Sequence, residues 1–100
     1  MTLIIAGTVR VPPENVAALR PHMVTVLASN RAEDGCETFA FSEDVGDPGL
    51  IHIFEIWRDQ AALSAHGKTE HLKAWRAAGE ALGVSERRLS LYEIASQRPL

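Results

Sequence analysis

One cysteine, Cys36, is all the chain carries, so no internal disulfide can form. That fits a reducing compartment, and a cytoplasmic protein is expected. Basic residues are too scattered to make a stripe. Ten Lys and Arg stand against 13 Asp and Glu, for a net charge of −3, and Arg87-Arg88 is only a pair. No general phosphate-binding footprint results, so no nucleic-acid partner is expected. No apolar stretch approaches the roughly 20 residues of a membrane span, so no membrane partner is expected either. The opening Met-Thr-Leu-Ile-Ile-Ala lacks the basic n-region of a signal peptide. Repeats, linkers and low-complexity tracts are absent, and 100 residues make one domain, 1–100.

What is present is a regular alternation of element types. Residues 3–11, LIIAGTVRV, are rich in β-branched residues and read as a strand. Pro12-Pro13 stops it, and Pro13 with Glu14 suits a helix start. From 14 to about 32 the apolar residues Val16, Leu19, Met23, Val26 and Leu27 share one helical face. Pro21, inside this run, predicts a kink or a restart. Asp34-Gly35 closes the segment, and residues 36–45 alternate as a second strand.

After the turn Gly46-Asp47-Pro48-Gly49, residues 50–57, LIHIFEIW, form the clearest strand. Leu50, His52, Phe54 and Ile56 share one face; Ile51, Ile53, Glu55 and Trp57 share the other. Apolar residues on both faces predict helices over one and a second subunit over the other. Asp59 caps a helix over 60–66. A further stripe through His71, Leu72, Trp75, Ala78 and Leu82 is out of phase with it, by about 140° along an unbroken helix. Gly67 and Thr69 supply a break and a new cap, so two pieces are expected, 60–66 and 69–82. Gly83 stops the second, and 87–95 reads as a last strand. The order β-α-β-β-α-β is the ferredoxin-like unit, an α+β fold with an antiparallel four-stranded sheet.

Several motifs within this frame resemble one family. Asp34-Gly35-Cys36 leads into Phe39 and Phe41. Phe54-Glu55-Ile56-Trp57-Arg58-Asp59 follows, then Ala62-Leu63-x-Ala65-His66, then His71 four residues before Trp75. The pattern is similar to that of the antibiotic biosynthesis monooxygenase family, and in particular to its bacterial quinol monooxygenase members. The resemblance implies a dimeric α+β barrel, a homodimer packed sheet to sheet, with a small pocket between each sheet and its helices. It implies a small aromatic substrate and O2, with no metal or flavin as cofactor. Haem-degrading relatives pair an Asn on the first strand with a later His. Ile4 to Val11 contain no Asn, so haem degradation is disfavoured. Phe39 or Phe41 replaces the usual second-strand Tyr, which removes a phenolic donor.

Oxygenation without a cofactor needs a base, a donor for the developing oxyanion and an apolar chamber. Histidine titrates in the useful range, and aromatic walls hold a flat substrate. His66, on the apolar side of its helix, is the first candidate for base or donor, against a purely structural role. His71 is the second catalytic candidate, placed at the pocket mouth or half-exposed at a helix start. His52, Trp57, Trp75, Phe39, Phe41 and Glu55 are the candidate substrate-binding residues. His52 could equally be a buried interface group, the tryptophans core residues, and Glu55 the member of a structural ion pair or hydrogen bond. His22 is expected in solvent and Cys36 inert. His66 and His71 are five residues apart, not the i, i+4 of a helical zinc pair, so no metal site is expected.

Three functions compete. A monooxygenase acting on a quinol or polyphenol requires a closed aromatic pocket reached by His66. An isomerase or lyase of a small metabolite, phosphorylated or not, requires a basic residue facing the pocket, with Arg10, Arg88 or Lys68 available. A non-catalytic dimeric module requires a pocket filled by side chains.

Overall fold

The computed structural model describes residues 1–100. Its elements run β1 (Leu3–Arg10), a 3-10 turn (Pro13–Asn15), α1 (Val16–Arg31), β2 (Cys36–Glu43), β3 (Leu50–Trp57), α2 (Gln60–His66), α3 (Glu70–Ala81) and β4 (Ser85–Glu93). The four strands form one antiparallel sheet in the order β2-β3-β1-β4. This is the α+β ferredoxin-like arrangement expected from the element order.

Local chemistry sets the boundaries. Asp59 caps α2 by accepting from the Ala62 N–H, and Thr69 caps α3 by accepting from the Leu72 N–H. The break between the two helices is therefore real, and it falls at Gly67–Thr69. No restart occurs at Pro21: α1 runs unbroken from Val16 to Arg31, with the proline on its exposed face. The last strand starts two residues earlier than expected, directly after Gly83-Val84.

One sheet face carries Leu3, Val9, Phe39, Ile51, Ile53 and Trp57, all buried against Val16, Leu19 and Met23 of α1 and Ala62 of α2. Burial of these side chains is the main favourable contribution, at about 1.5–3 kcal/mol for each large one. The opposite face has no helix over it. Its apolar residues form two rows across the strands. Ala40, Phe54 and Ala6 make one; Ile56, Ile4 and Tyr92 make the other. Phe54 is 40% exposed and Tyr92 52%.

The loop between α1 and β2 is clamped to the end of β3. Arg58 donates from both terminal guanidinium nitrogens to Asp34, at 3.1 Å each, and its backbone N–H donates to Gly35 O at 2.8 Å. The guanidinium holds the Asp34 carboxyl below its usual range. Gly35 sits at φ +84°, in the left-handed region. A Cβ there would run into Ala62 of the buried face of α2. Gly35→Ala therefore combines backbone strain with overpacking. It is expected to lower stability by about 2 kcal/mol in urea unfolding, and a neutral substitution would contradict the tight approach of this loop to α2.

Candidate functional site

A cavity of about 500 Å³ lies between the helix-covered face of the sheet and α2, α3 and β4. That volume suits a small organic molecule. Phe39, Phe41 and Trp75 supply aromatic wall, and His66 and Glu55 supply inner polar groups. Phe41 and Trp75 approach to 5.0 Å between ring centroids, and Phe39 and Phe41 meet edge to face at 5.6 Å.

His66 is buried at the end of α2, where helical spacing from Ala62 turns it inward. Trp57 lies beside its ring, 4.7 Å between centroids. Its Nδ1 is 2.7 Å from Oε2 of Glu33, and the same oxygen is 2.9 Å from Nε2 of His71. A carboxylate only accepts, so both hydrogens belong to the imidazoles. This puts a hydrogen on His66 Nδ1, so that in the neutral ring Nε2 carries the lone pair. Nε2 makes no hydrogen bond within the chain. His66 is thus an oriented acceptor on the cavity wall.

Glu55 is a buried acid, 6% exposed. Its Oε1 accepts from the Trp57 indole N–H at 2.8 Å. Burial raises its pKa, against the opposing pull of that hydrogen bond and of His66. Of the expected ion pair or hydrogen bond, the chain itself supplies the hydrogen bond, and its donor is the indole.

The expected residues therefore divide. His66, Phe39, Phe41, Trp75 and Glu55 line the cavity. Trp57 does not: it is fully buried behind His66 as core. His71 does not line the cavity either, but joins His66 through Glu33. His52 is not at the cavity, the first of its two expected places. It points to the uncovered sheet face, where its Nε2 lies 2.8 Å from Asp44, and strand alternation makes that placement inevitable once Ile51 and Ile53 face the helices. The basic residues at the cavity are Arg76 and Arg87, not Arg10, Arg88 or Lys68. Arg10 is held by Asp47 and Glu86, and Arg88 lies 3.7 Å from Glu86. Cys36 has its thiol pKa raised, chiefly by burial, which agrees with an inert role.

Sequence reasoning missed Glu33. It stands 33 and 38 residues from its partners, on no periodic stripe. Its one visible signal is position: an acid directly before the Asp34-Gly35 turn, at a helix end, where a negative charge opposes the helix dipole and gains nothing locally.

The family model for antibiotic biosynthesis monooxygenases matches residues 2–78. The chain belongs to that family. The matched span includes Glu33, His66 and His71, and ends before β4. YcnE of Bacillus subtilis, named as a candidate monooxygenase, is 26% identical over 80% of this chain and 84% of its own length. The uncharacterized Synechocystis protein sll1783 is 26% identical over 98% of this chain and 67% of its own. The crystal structure of a family member from Deinococcus radiodurans superposes with a TM-score of 0.89 at 27% identity, covering 100% of this chain and 98% of that one.

The buried Glu55 sets a pH dependence. A carboxyl whose pKa is raised on folding ionises first in the unfolded chain. Stability therefore falls as pH rises from the ordinary Glu value, about 4.3, to the raised value. Glu55→Gln keeps an oxygen for the Trp57 indole and cannot ionise. Its stability relative to the parent is expected to grow as pH rises through that window in urea unfolding. A difference that stays constant with pH would show that Glu55 pays no burial penalty.

Proposed function

We propose that this protein is a cofactor-independent monooxygenase that oxidises a small quinol or polyphenol with O2. The observation that carries the reading is His66 on an aromatic cavity wall, hydrogen-bonded through Nδ1 to Glu33 outside it. His66 Nε2 takes the phenolic proton, and Glu33 stabilises the imidazolium that forms. The electron-rich anion then passes an electron to O2, and the two radicals join at a ring carbon. Loss of water from the resulting peroxide leaves a carbonyl at that carbon, so hydroquinone plus O2 gives hydroxyquinone plus water. Phe39, Phe41 and Trp75 hold the ring flat, and the apolar walls keep bulk water from the anion.

A non-oxidative isomerase or lyase acting on a small anionic metabolite is the second reading. One observation favours it: Arg76 and Arg87 line the cavity, and neither has a carboxylate within salt-bridge distance. A non-catalytic module fits less well, since the space beside His66 is open rather than filled by side chains.

The uncovered sheet face supports a homodimer packed sheet to sheet. Two apolar rows led by Phe54 and Tyr92 are too large to leave in water without cost. Two measurements test these proposals. Oxygen uptake with a panel of hydroquinones is expected for the parent chain and about 100-fold slower for His66→Ala, the usual scale of a lost general base. Equal uptake by both chains would remove His66 from the mechanism. In sedimentation the parent is expected to run as a dimer, and Phe54→Lys as a folded monomer. A monomeric parent would sink the sheet-to-sheet arrangement.

A further inference from the structure

The meeting of Glu33, His66 and His71 has a second chemical meaning. The spacing of the two histidines speaks against a zinc pair on one continuous helix. It does not speak against a pair across a helix break. His66 closes α2 and His71 lies in the first turn of α3. The break between them turns both rings onto one carboxylate, and one ligand atom from each of His66, His71 and Glu33 lies within 4.8 Å of the other two.

We propose that these three side chains form a binding site for Zn(II), with His66 Nδ1, His71 Nε2 and the Glu33 carboxylate as ligands and the fourth position open to a small ligand. Two imidazoles and one carboxylate suit zinc; the hard cations Mg(II) and Ca(II) take oxygen ligands instead. The ligands are positioned by contacts other than their own. Asp59 and Thr69 cap the two helices, and Arg58 clamps the turn that follows Glu33. The site is sheltered: side-chain exposure is 7% for His66, 14% for Glu33 and 28% for His71. The nitrogen–oxygen separations of 2.7 and 2.9 Å are those of hydrogen bonds. Tetrahedral zinc at its usual bond lengths needs these edges opened by about half an ångström, within reach of small side-chain rotations.

Binding has a defined consequence for protonation. Zinc takes the lone pairs of His66 Nδ1 and His71 Nε2, so the ring hydrogen of each is left on its other nitrogen. His66 then carries its hydrogen on Nε2, and changes from an acceptor to a donor.

The experiment titrates ZnCl2 into the tag-free chain carrying Cys36→Ser, so that the lone thiol contributes nothing. Calorimetry is expected to show one equivalent bound. His71→Ala, with its fold checked by circular dichroism, is expected to weaken binding about tenfold or more, given that loss of an outer partner alone costs that much. His52→Asn, on the far face of the sheet, is expected to leave it unchanged. Ring 15N spectra of the unsubstituted histidines read the same point without any variant at the site. His66 and His71 are expected to change tautomer with zinc, while His22 and His52 stay as they are. Absence of stoichiometric binding, equal binding by His71→Ala, or ring signals that do not change would overturn the proposal. None of these readouts uses turnover, so the result stands apart from the oxygenase reading.

Discussion

One oxygen atom, Oε2 of Glu33, holds the candidate site together. It accepts from His66 at the end of α2 and from His71 at the start of α3. Three chain segments thus converge on one acceptor in a sheltered place. Hydrogen bonds to a charged group are about twice as strong as neutral ones, and an unpaired buried carboxylate is costly. Each member of the trio accordingly constrains the others. Without the imidazole N–H groups, Glu33 is a buried charge with no partner. Without Glu33, His66 has no fixed tautomer and no reason to present Nε2 rather than Nδ1.

The surroundings make this arrangement rigid. Thr69 accepts from the Leu72 N–H to start α3, and its own hydroxyl donates to His66 O at 2.8 Å. The cap of one helix is therefore also the fastening of the other. On the sheet side, Trp57 lies beside the His66 ring and donates to Glu55. Glu55 in turn lines the cavity with His66. Both acids are satisfied by ring N–H groups, not by guanidinium or ammonium partners. This pairs the two carboxyl groups without a guanidinium or ammonium partner, whose burial as an ion pair often costs more than its attraction gains.

Much of this frame was legible in the sequence. The bounds 50–57 and 60–66 follow from alternation and from the Asp59 cap, both local signals. Gly67 and Thr69 announced the helix break for the same reason. The faces of β3 were separable by alternation, but alternation alone does not say which face the helices take. His52 was lost on that ambiguity. Glu55 and Trp57 lie on the helix-covered face with Ile51 and Ile53, and there the indole supplies the carboxyl's hydrogen-bond partner. Pro21 misled in the opposite direction. Its ring faces solvent, and α1 continues past it because Leu19, Met23 and Val26 anchor the helix to the core on both sides.

Glu33 was illegible for a deeper reason. Secondary-structure periodicity reports which residues share a face, within about one turn or one strand. The Glu33 contacts depend on how α1 ends against β2 and on how the chain turns between α2 and α3, two events more than 30 residues apart. An unbroken helix from 60 to 81 would set His66 and His71 about 140° apart, and one carboxylate could not reach both. The break gives up the continuity of the helical hydrogen-bond ladder, and the Thr69 cap recovers part of what is lost. What the break provides is convergence. Two residues that helical geometry would keep on different faces come to share one oxygen. The kink between α2 and α3 is therefore part of the site itself.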